Sequence, residues 1–403
     1  MSPRAQCLTS VRRHDAARGV IVLDGVGCGE AADAAAYGDV GSNTLAHVLE
    51  QSPTLTLPAM ERLGLGHVGT LRGVVPIDSP HGAVTVLEPM SAGKDSTTGH
   101  WEIAGVVLDR PFPTFPRGFP AKVIEAFARA TGRAVIGNCV ASGTAILDTL
   151  GAEHVATGSW IVYTSADSVF QVAAHEAVVP LDELYRACEI AREMLLPAPN
   201  NVSRVIARPF TGANGAWQRT ANRRDYSLAP VSETLLDALA SAGVARTGVG
   251  KVDDLFASRA ITSTHTTDNA EGIALIQRWL DSSESGFLFA NLVDFDQSYG
   301  HRNDVPGFAG ALAEFDGALP SLLNALRDDD LLFITADHGN DPTTPSTDHA
   351  RERVPLLVAG PTVTPCVLPP RRTFADLGAT VADAFGIAWR GRGTSFLAQV
   401  HAP

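Results

Sequence analysis

Four short apolar runs constrain this chain more than any other feature. They are Gly19-Val20-Ile21-Val22-Leu23, Gly286-Phe287-Leu288-Phe289-Ala290-Asn291-Leu292-Val293, Leu331-Leu332-Phe333-Ile334 and Val354-Pro355-Leu356-Leu357-Val358-Ala359. Each is continuous rather than alternating, the pattern of a strand buried on both faces. Helical periodicity lies between them, over 43–50, 271–280 and 308–326. Strands that alternate with helices predict an α/β fold, a mostly parallel sheet with helices on both faces. Residues 111–226 break the pattern. They open on the turn-forming Pro111-Phe112-Pro113-Thr114-Phe115-Pro116, and helical stretches at 121–131 and 182–195 flank short strand runs at 160–163 and 169–174. The expected organisation is a loose N-terminal extension (1–17), a core built from 18–110 and 227–403, and a smaller α+β unit (111–226) inserted into it. The segment from 384 onward closes the core.

The chain has 403 residues and a net charge of −13. Acidity of this order argues against sequence-independent nucleic-acid binding, which needs clustered positive charge. It also makes any basic cluster conspicuous. The five cysteines are odd in number and form no CxxC pair, which points to a reducing cytoplasm rather than a disulfide framework. The N-terminus lacks the apolar stretch of a secretory signal, and no window approaches the ~18 consecutive apolar residues of a membrane span.

The ends of the apolar runs collect carboxylates and imidazoles. Asp24 ends the first. Asp296 and His301 follow the second, Asp337 and His338 the third, and His349 lies eleven residues beyond His338. A single Asp at a strand end is ordinarily a turn or cap residue, and a single His is ordinarily satisfied by a hydrogen bond. Three of each, all at predicted strand ends, form a ligand set for two divalent ions such as Mn²⁺, Zn²⁺ or Fe²⁺. Two such ions can clamp the attacking and leaving oxygens of a phosphoryl displacement. Gly93-Lys94-Asp95-Ser96-Thr97-Thr98-Gly99-His100 brings three hydroxyls to a helix start, where one is a candidate nucleophile; the plainer reading is a helix cap. Arg204, Arg208, Arg219, Arg223 and Arg224 form a basic run in the inserted unit. It either meets an anionic ligand or is a solvated face with local carboxylate partners. His47, His81, His154 and His175 lack such company and are read as structural.

With these residues in view, the chain resembles the phosphopentomutase family of the alkaline phosphatase superfamily. The likeness rests on VLDGVGCGEAADAAAYGDVGSNTL, GKDSTTGHWEIAG, SGTAILDTLG, IVYTSADSVFQVAAHE, RVIARPF, NLVDFDQSYGHRND, TADHGNDPTTPSTDHARERVPLL and TFADLGATVADAFG, in that order. The resemblance implies an alkaline-phosphatase-like core with a cap domain and two Mn²⁺ ions. Asp24, Asp337 and His338 would hold one ion, and Asp296, His301 and His349 the other. Ser96 would bridge them and carry the phosphoryl group. Ser165, Asp167, Arg204, Arg219 and Lys251 match positions expected to meet the sugar phosphate. The implied reaction interconverts α-D-ribose 1-phosphate, or its 2-deoxy form, with the 5-phosphate by way of a phosphoserine and a bisphosphate, and a sugar bisphosphate activator would prime it. The family ordinarily has threonine where Ser96 stands, and the Gly25-Val26-Gly27-Cys28 loop also departs from its pattern. These differences keep open a phosphatase, or a mutase paralogue that acts on a modified pentose phosphate.

Overall fold

The computed structural model describes residues 16–165, 167–213, 215–282 and 285–401, so the expected N-terminal extension lies almost wholly outside the described residues. The chain forms two compact units, one from Met1–Arg110 with Pro230–Pro403 and the other from Pro111–Ala229. The first unit contributes β1 (Ala17–Leu23) and β2 (Ala83–Leu87). The second contributes β3 (Val135–Val140), β4 (Trp160–Thr164), β5 (Val169–His175), β6 (Arg204–Thr211), β7 (Gln218–Arg219) and β8 (Arg224–Ser227). The chain then returns to the first unit for β9 (Arg246–Val249), β10 (Ser263–Thr264), β11 (Gly286–Leu292), β12 (Leu331–Thr335), β13 (Val354–Ala359) and β14 (Cys366–Val367).

The large sheet has the order β10-β9-β11-β1-β12-β13-β2-β14. From β10 to β12 every pairing is parallel. β13 runs against both its neighbours, β12 and β2. All residues of β1, β2, β11, β12 and β13 are buried, which is why β1, β11, β12 and β13 read as continuous rather than alternating apolar runs. The helix Asn269–Asp281 begins where the Asp268 side chain accepts from the Glu271 N–H, and Val305–Asn324 begins where Asp304 accepts from Gly307. Both helices start two or three residues before the apolar periodicity, because the capping residue and the first turn lie ahead of the first core-facing side chain.

Register sets up the site. Leu23 of β1 lies opposite Leu292 of β11, and Val22 lies opposite Thr335 of β12. The residues that follow these three strands therefore emerge side by side. Because β13 is antiparallel to both β12 and β2, β2 points the same way as β12, and β13 starts where they end. The C-terminal ends of β1, β2, β11 and β12 and the segment that leads into β13 share one edge, where open α/β sheets place their chemistry.

The second unit has the sheet β3-β4-β5-β6-β7, with β8 also paired to β6. Period-2 alternation divides its interior. Trp160 and Val162 of β4 enter one cluster with Phe127, Phe170 and Leu184, while Ile161 and Tyr163 enter another with Ile146, Leu147 and Phe210. The helices Ala121–Thr131 and Leu181–Met194 thus cover one face, and Ala145–Thr157 covers the other.

Candidate metal centre and nucleophile

Asp24 follows β1 directly, and Asp337 and His338 stand two and three residues beyond Thr335, the last residue of β12. Ligand atoms of Asp24, Asp337 and His338 all lie within 4.8 Å of one another, as do those of Asp296, His338 and His349. Each of these residues is buried. His301 joins the second group through Nε2, 3.2 Å from Oδ2 of Asp296, and its side chain is 34% exposed. Asp296 lies in a π-helical turn, Phe295–Tyr299, a widened turn found often at functional sites. Of the six residues, His338 is the one shared by both groups.

Backbone carbonyls orient two of the imidazoles. Nδ1 of His301 lies 2.6 Å from the Thr347 oxygen, and Nδ1 of His338 lies 3.1 Å from the Gly339 oxygen. A carbonyl only accepts, so Nδ1 carries the hydrogen and Nε2 is turned toward the carboxylates.

Ser96 is the first residue of the helix Ser96–Ile103, and its Oγ is 3.1 Å from Nε2 of His338. The cap of this helix is Asp95, whose carboxylate accepts from the Thr98 N–H (3.1 Å) and the Thr98 hydroxyl (2.6 Å). The Thr98 hydroxyl is thus taken up by Asp95, whereas that of Ser96 lies beside the cluster. Gly99 permits this: a Cβ there would sit 2.1 Å from the Asp337 carbonyl oxygen, so any side chain would push the helix off the ligand loop. Gly25 has a similar role on the other side. Its φ of 79° turns the chain back so that its N–H donates to Oδ1 of Asp337, at 3.1 Å.

The donor atoms suit a cation better than they suit one another. Oδ1 of Asp24, Oδ2 of Asp337 and Nε2 of His349 are buried and make no aligned hydrogen bond. They nonetheless stand 3.4, 3.4 and 3.2 Å from His338 Nε2, His338 Nε2 and Asp296 Oδ1, respectively. Atoms bound ~2.0–2.2 Å from a common ion lie about 3.0–3.4 Å apart, so the spacing is that of ligands around a shared centre. Charge points the same way. Burial opposes ionisation of Asp296, but His349 and His301 outweigh it and hold the carboxyl well below its usual range. Burial likewise opposes the ionisation of Asp337, and His338, His100 and the Gly25 N–H bring it down. His338 is pulled well above the usual imidazole value, against burial, by Asp337, Asp24 and Asp296.

Several supporting residues were not singled out from the sequence. His100 places Nδ1 2.9 Å from the Ser96 carbonyl oxygen and 3.1 Å from Oδ2 of Asp337. Arg351 is buried and donates to the carbonyls of Pro89, Ser91 and Gly93, which fastens the segment ahead of Ser96. Burial pushes the Glu352 carboxyl up to about 7 although Thr44 and Gly29 donate to it. Asn291 donates to Oδ2 of Asp24, and Asn340 to Oδ1 of Asp296. The sequence signal for Asn291 was available: it is the one polar residue in an apolar strand run.

Of the residues matched to the sugar phosphate, Lys251 follows β9 by two positions, at the same edge of the large sheet, and is half-buried. The others lie in the second unit. Ser165 and Asp167 lie between β4 and β5, and Arg204 begins β6. Arg204 is 3.8 Å from Asp167 and 3.6 Å from Asp225, and its buried Nε has no hydrogen-bond partner. Arg219, on β7, is exposed. In the rest of the basic run, Arg223 is paired to Asp225 (2.7 Å), Arg224 lies over the Tyr185 ring, and Arg208 donates to Gln171. Burial, with Arg223 and Arg219 nearby, brings Arg208 down to about 10. No described helix is long and apolar enough to cross a membrane. Four cysteines among the described residues are free, namely Cys28, Cys139, Cys188 and Cys366.

The profile of the Metalloenzyme superfamily matches residues 17–388. The chain is 54% identical to the phosphopentomutase of Caldanaerobacter subterraneus subsp. tengcongensis over 383 residues, 94% of this chain and 97% of that one. It is also 54% identical to the phosphopentomutase of an Anaeromyxobacter species, over 94% of this chain and 98% of that one. Among solved structures, a Leishmania mexicana phosphoglycerate mutase aligns at 12% identity and a TM-score of 0.47, covering 94% of this chain and 97% of the other. On the profile match and the two close relatives, this α/β chain is a metalloenzyme that belongs to the phosphopentomutase family.

Proposed function

We propose that the enzyme interconverts α-D-ribose 1-phosphate, or 2-deoxyribose 1-phosphate, with the corresponding 5-phosphate through a phosphoserine at Ser96. Asp24, Asp337 and His338 would hold one Mn²⁺, and Asp296, His301 and His349 the other, with the Ser96 hydroxyl as a further ligand. The observation that carries this reading is the position of the Ser96 hydroxyl, 3.1 Å from the one imidazole that both groups of ligand atoms share. Identity of 54% to phosphopentomutases over almost the whole chain supports the choice of pentose phosphates.

When bound, the ions supply positive charge against the oxygens of the transferring group and acidify the serine hydroxyl. Phospho-Ser96 passes its phosphoryl group to the free hydroxyl of a pentose monophosphate. The Ser96 O–P bond breaks as the sugar O–P bond forms, and the sugar hydroxyl gives up its proton. The resulting bisphosphate turns, Ser96 Oγ takes the other phosphoryl group, and the freed sugar oxygen recovers a proton. The start of the helix Ser96–Ile103 favours the negative charge that Ser96 carries between turnovers. A sugar 1,6-bisphosphate of the glucose type loads Ser96 at the outset. Ser165, Asp167, Arg204, Arg219 and Lys251 bind the sugar phosphate. Arg204 is suited to this because its ion pairs are long and its Nε is unbonded, which leaves guanidinium hydrogens for phosphate oxygens. The cysteine usage fits a cytoplasmic enzyme.

The test uses ribose 1-phosphate labelled on phosphorus, with Mn²⁺ and a bisphosphate primer. Ribose 5-phosphate should carry the label, and free phosphate should form far more slowly. Equal rates would replace the mutase with a phosphatase, and turnover of a modified pentose phosphate alone would move the substrate. Ser96→Ala should abolish phosphoenzyme formation; label mapped to Thr97 or Thr98 in the wild type would assign the nucleophile elsewhere.

A further inference from the structure

We infer that Asn291 and Asn340 are positioning residues, each fixing one carboxylate in a different half of the cation cluster; the inference rests on the two-ion reading above. Both side chains are wholly buried. Nδ2 of Asn291 donates to Oδ2 of Asp24 at 3.1 Å, and Nδ2 of Asn340 donates to Oδ1 of Asp296 at 2.7 Å. In both residues the amide oxygen has no hydrogen-bond partner. A buried carbonyl oxygen without a donor is unfavourable, and a strand as apolar as β11 would ordinarily carry an aliphatic residue at position 291. The same fault at two positions has one shared explanation. An ionised carboxylate only accepts, so the NH₂ end must face it and the oxygen is left over.

Each amide holds one carboxylate oxygen and thereby fixes where the other one points. For Asp24 that is Oδ1, 3.4 Å from Nε2 of His338. For Asp296 it is Oδ2, 3.2 Å from Nε2 of His301, while Oδ1, the oxygen that Asn340 holds, also stands 3.2 Å from Nε2 of His349. A neutral donor suits this task. Lys or Arg would orient the carboxylate equally well but would cancel the negative charge that a divalent ion needs. The amides are themselves held: β11 carries Asn291, and the Asn340 backbone N–H donates to the Gly25 oxygen (2.8 Å) and to the Thr44 hydroxyl (3.2 Å). The two asparagines therefore act separately, Asn291 on the Asp24 half and Asn340 on the Asp296 half.

The experiment is calorimetric titration of Mn²⁺ into full-length wild-type protein and the Asn291→Ala and Asn340→Ala variants. Anomalous scattering from crystals of each identifies the ion that is lost. Each variant should bind one ion about 10–100-fold more weakly and keep the other near its wild-type affinity, a typical cost of removing an outer partner of a ligand. The weakened ion should be the Asp24 one in the first variant and the Asp296 one in the second. kcat should fall at saturating sugar phosphate while KM for the sugar stays within a few-fold. Wild-type affinities in both variants would overturn the proposal. So would equal weakening of both ions together with a lower melting temperature in chelator, since that is the signature of a structural role. If an alanine variant does not fold, Asn291→Leu or Asn340→Leu, which fills similar space with no donor, is held to the same outcomes. A wild type that binds no pair of ions would instead bring down the two-ion reading, and this inference with it.

Discussion

The cation cluster of the large unit and the arginine run of the inserted unit both concentrate charge, but they hold it differently. In the cluster, Asp24, Asp296, Asp337, His338 and His349 are all at most 6% exposed, and neighbours aim several of their atoms. The arginines begin on a strand, half-buried at Arg204, and end exposed at Arg219 and Arg224. Some have local carboxylates, and Asp225 serves both Arg204 and Arg223. The cluster concentrates charge that its own side chains neutralise only in part, which is useful to a small, strongly charged ligand. Arg204 keeps long, exchangeable ion pairs, which suit a ligand that comes and goes.

The sharpest way to break this contrast is His338→Ala. The imidazole belongs to both ligand groups, so both ions should weaken, and turnover should drop by about a thousandfold or more, the equivalent of roughly 4 kcal/mol of lost charge stabilisation. Paired metal titrations and kinetics check this, and loss of only one ion would show that the halves are more independent than the geometry implies. A smaller effect is expected from Arg204→Ala. Loss of charge-assisted hydrogen bonds to phosphate, about 1.5–3 kcal/mol, should raise KM for the sugar phosphate ~10–100-fold without disturbing metal affinity. An unchanged KM would remove Arg204 from the site.

The mildest test concerns pH. Burial opposes ionisation of Asp225, yet Arg223, Arg204 and Arg208 hold its carboxyl below the usual range. A folded-state value below the unfolded one means that the carboxylate contributes stability above the ordinary value of ~3.9, and that this is lost as pH falls through the folded value. Asp225→Asn should therefore be less stable than wild type at neutral pH, and the gap should close below about pH 4. Urea unfolding across pH 3–7 measures it. A gap that stays constant into acid would mean that Asp225 acts through packing rather than charge.

The parallel strands were legible because burial on both faces leaves an unbroken apolar run, as in β1, β11 and β12. The helix Ala145–Thr157 was not read from the sequence. Its apolar and small residues lie all round the axis instead of along one stripe, so the period that marks an amphipathic helix is missing. The run Val354–Ala359 was legible as a buried strand, but not its direction, because a strand buried on both faces looks the same in either sense. Motif residues such as Asp337 and His338 stood out by their position after an apolar run. Two of their supporters did not: His100 and Arg351 act on residues far away in sequence or on backbone atoms, and neither leaves a local pattern.

By itself the sequence determined where the buried strands lie, which acidic and imidazole side chains stand at their ends, and that three hydroxyls gather at a helix start. These follow from local composition and periodicity. The tertiary structure decided which of those hydroxyls meets the cluster, that His338 belongs to both ligand groups, and that two buried asparagines hold the carboxylates. Those outcomes depend on strand register and on close approaches such as Gly99 against Asp337, and register is settled only when the whole sheet packs.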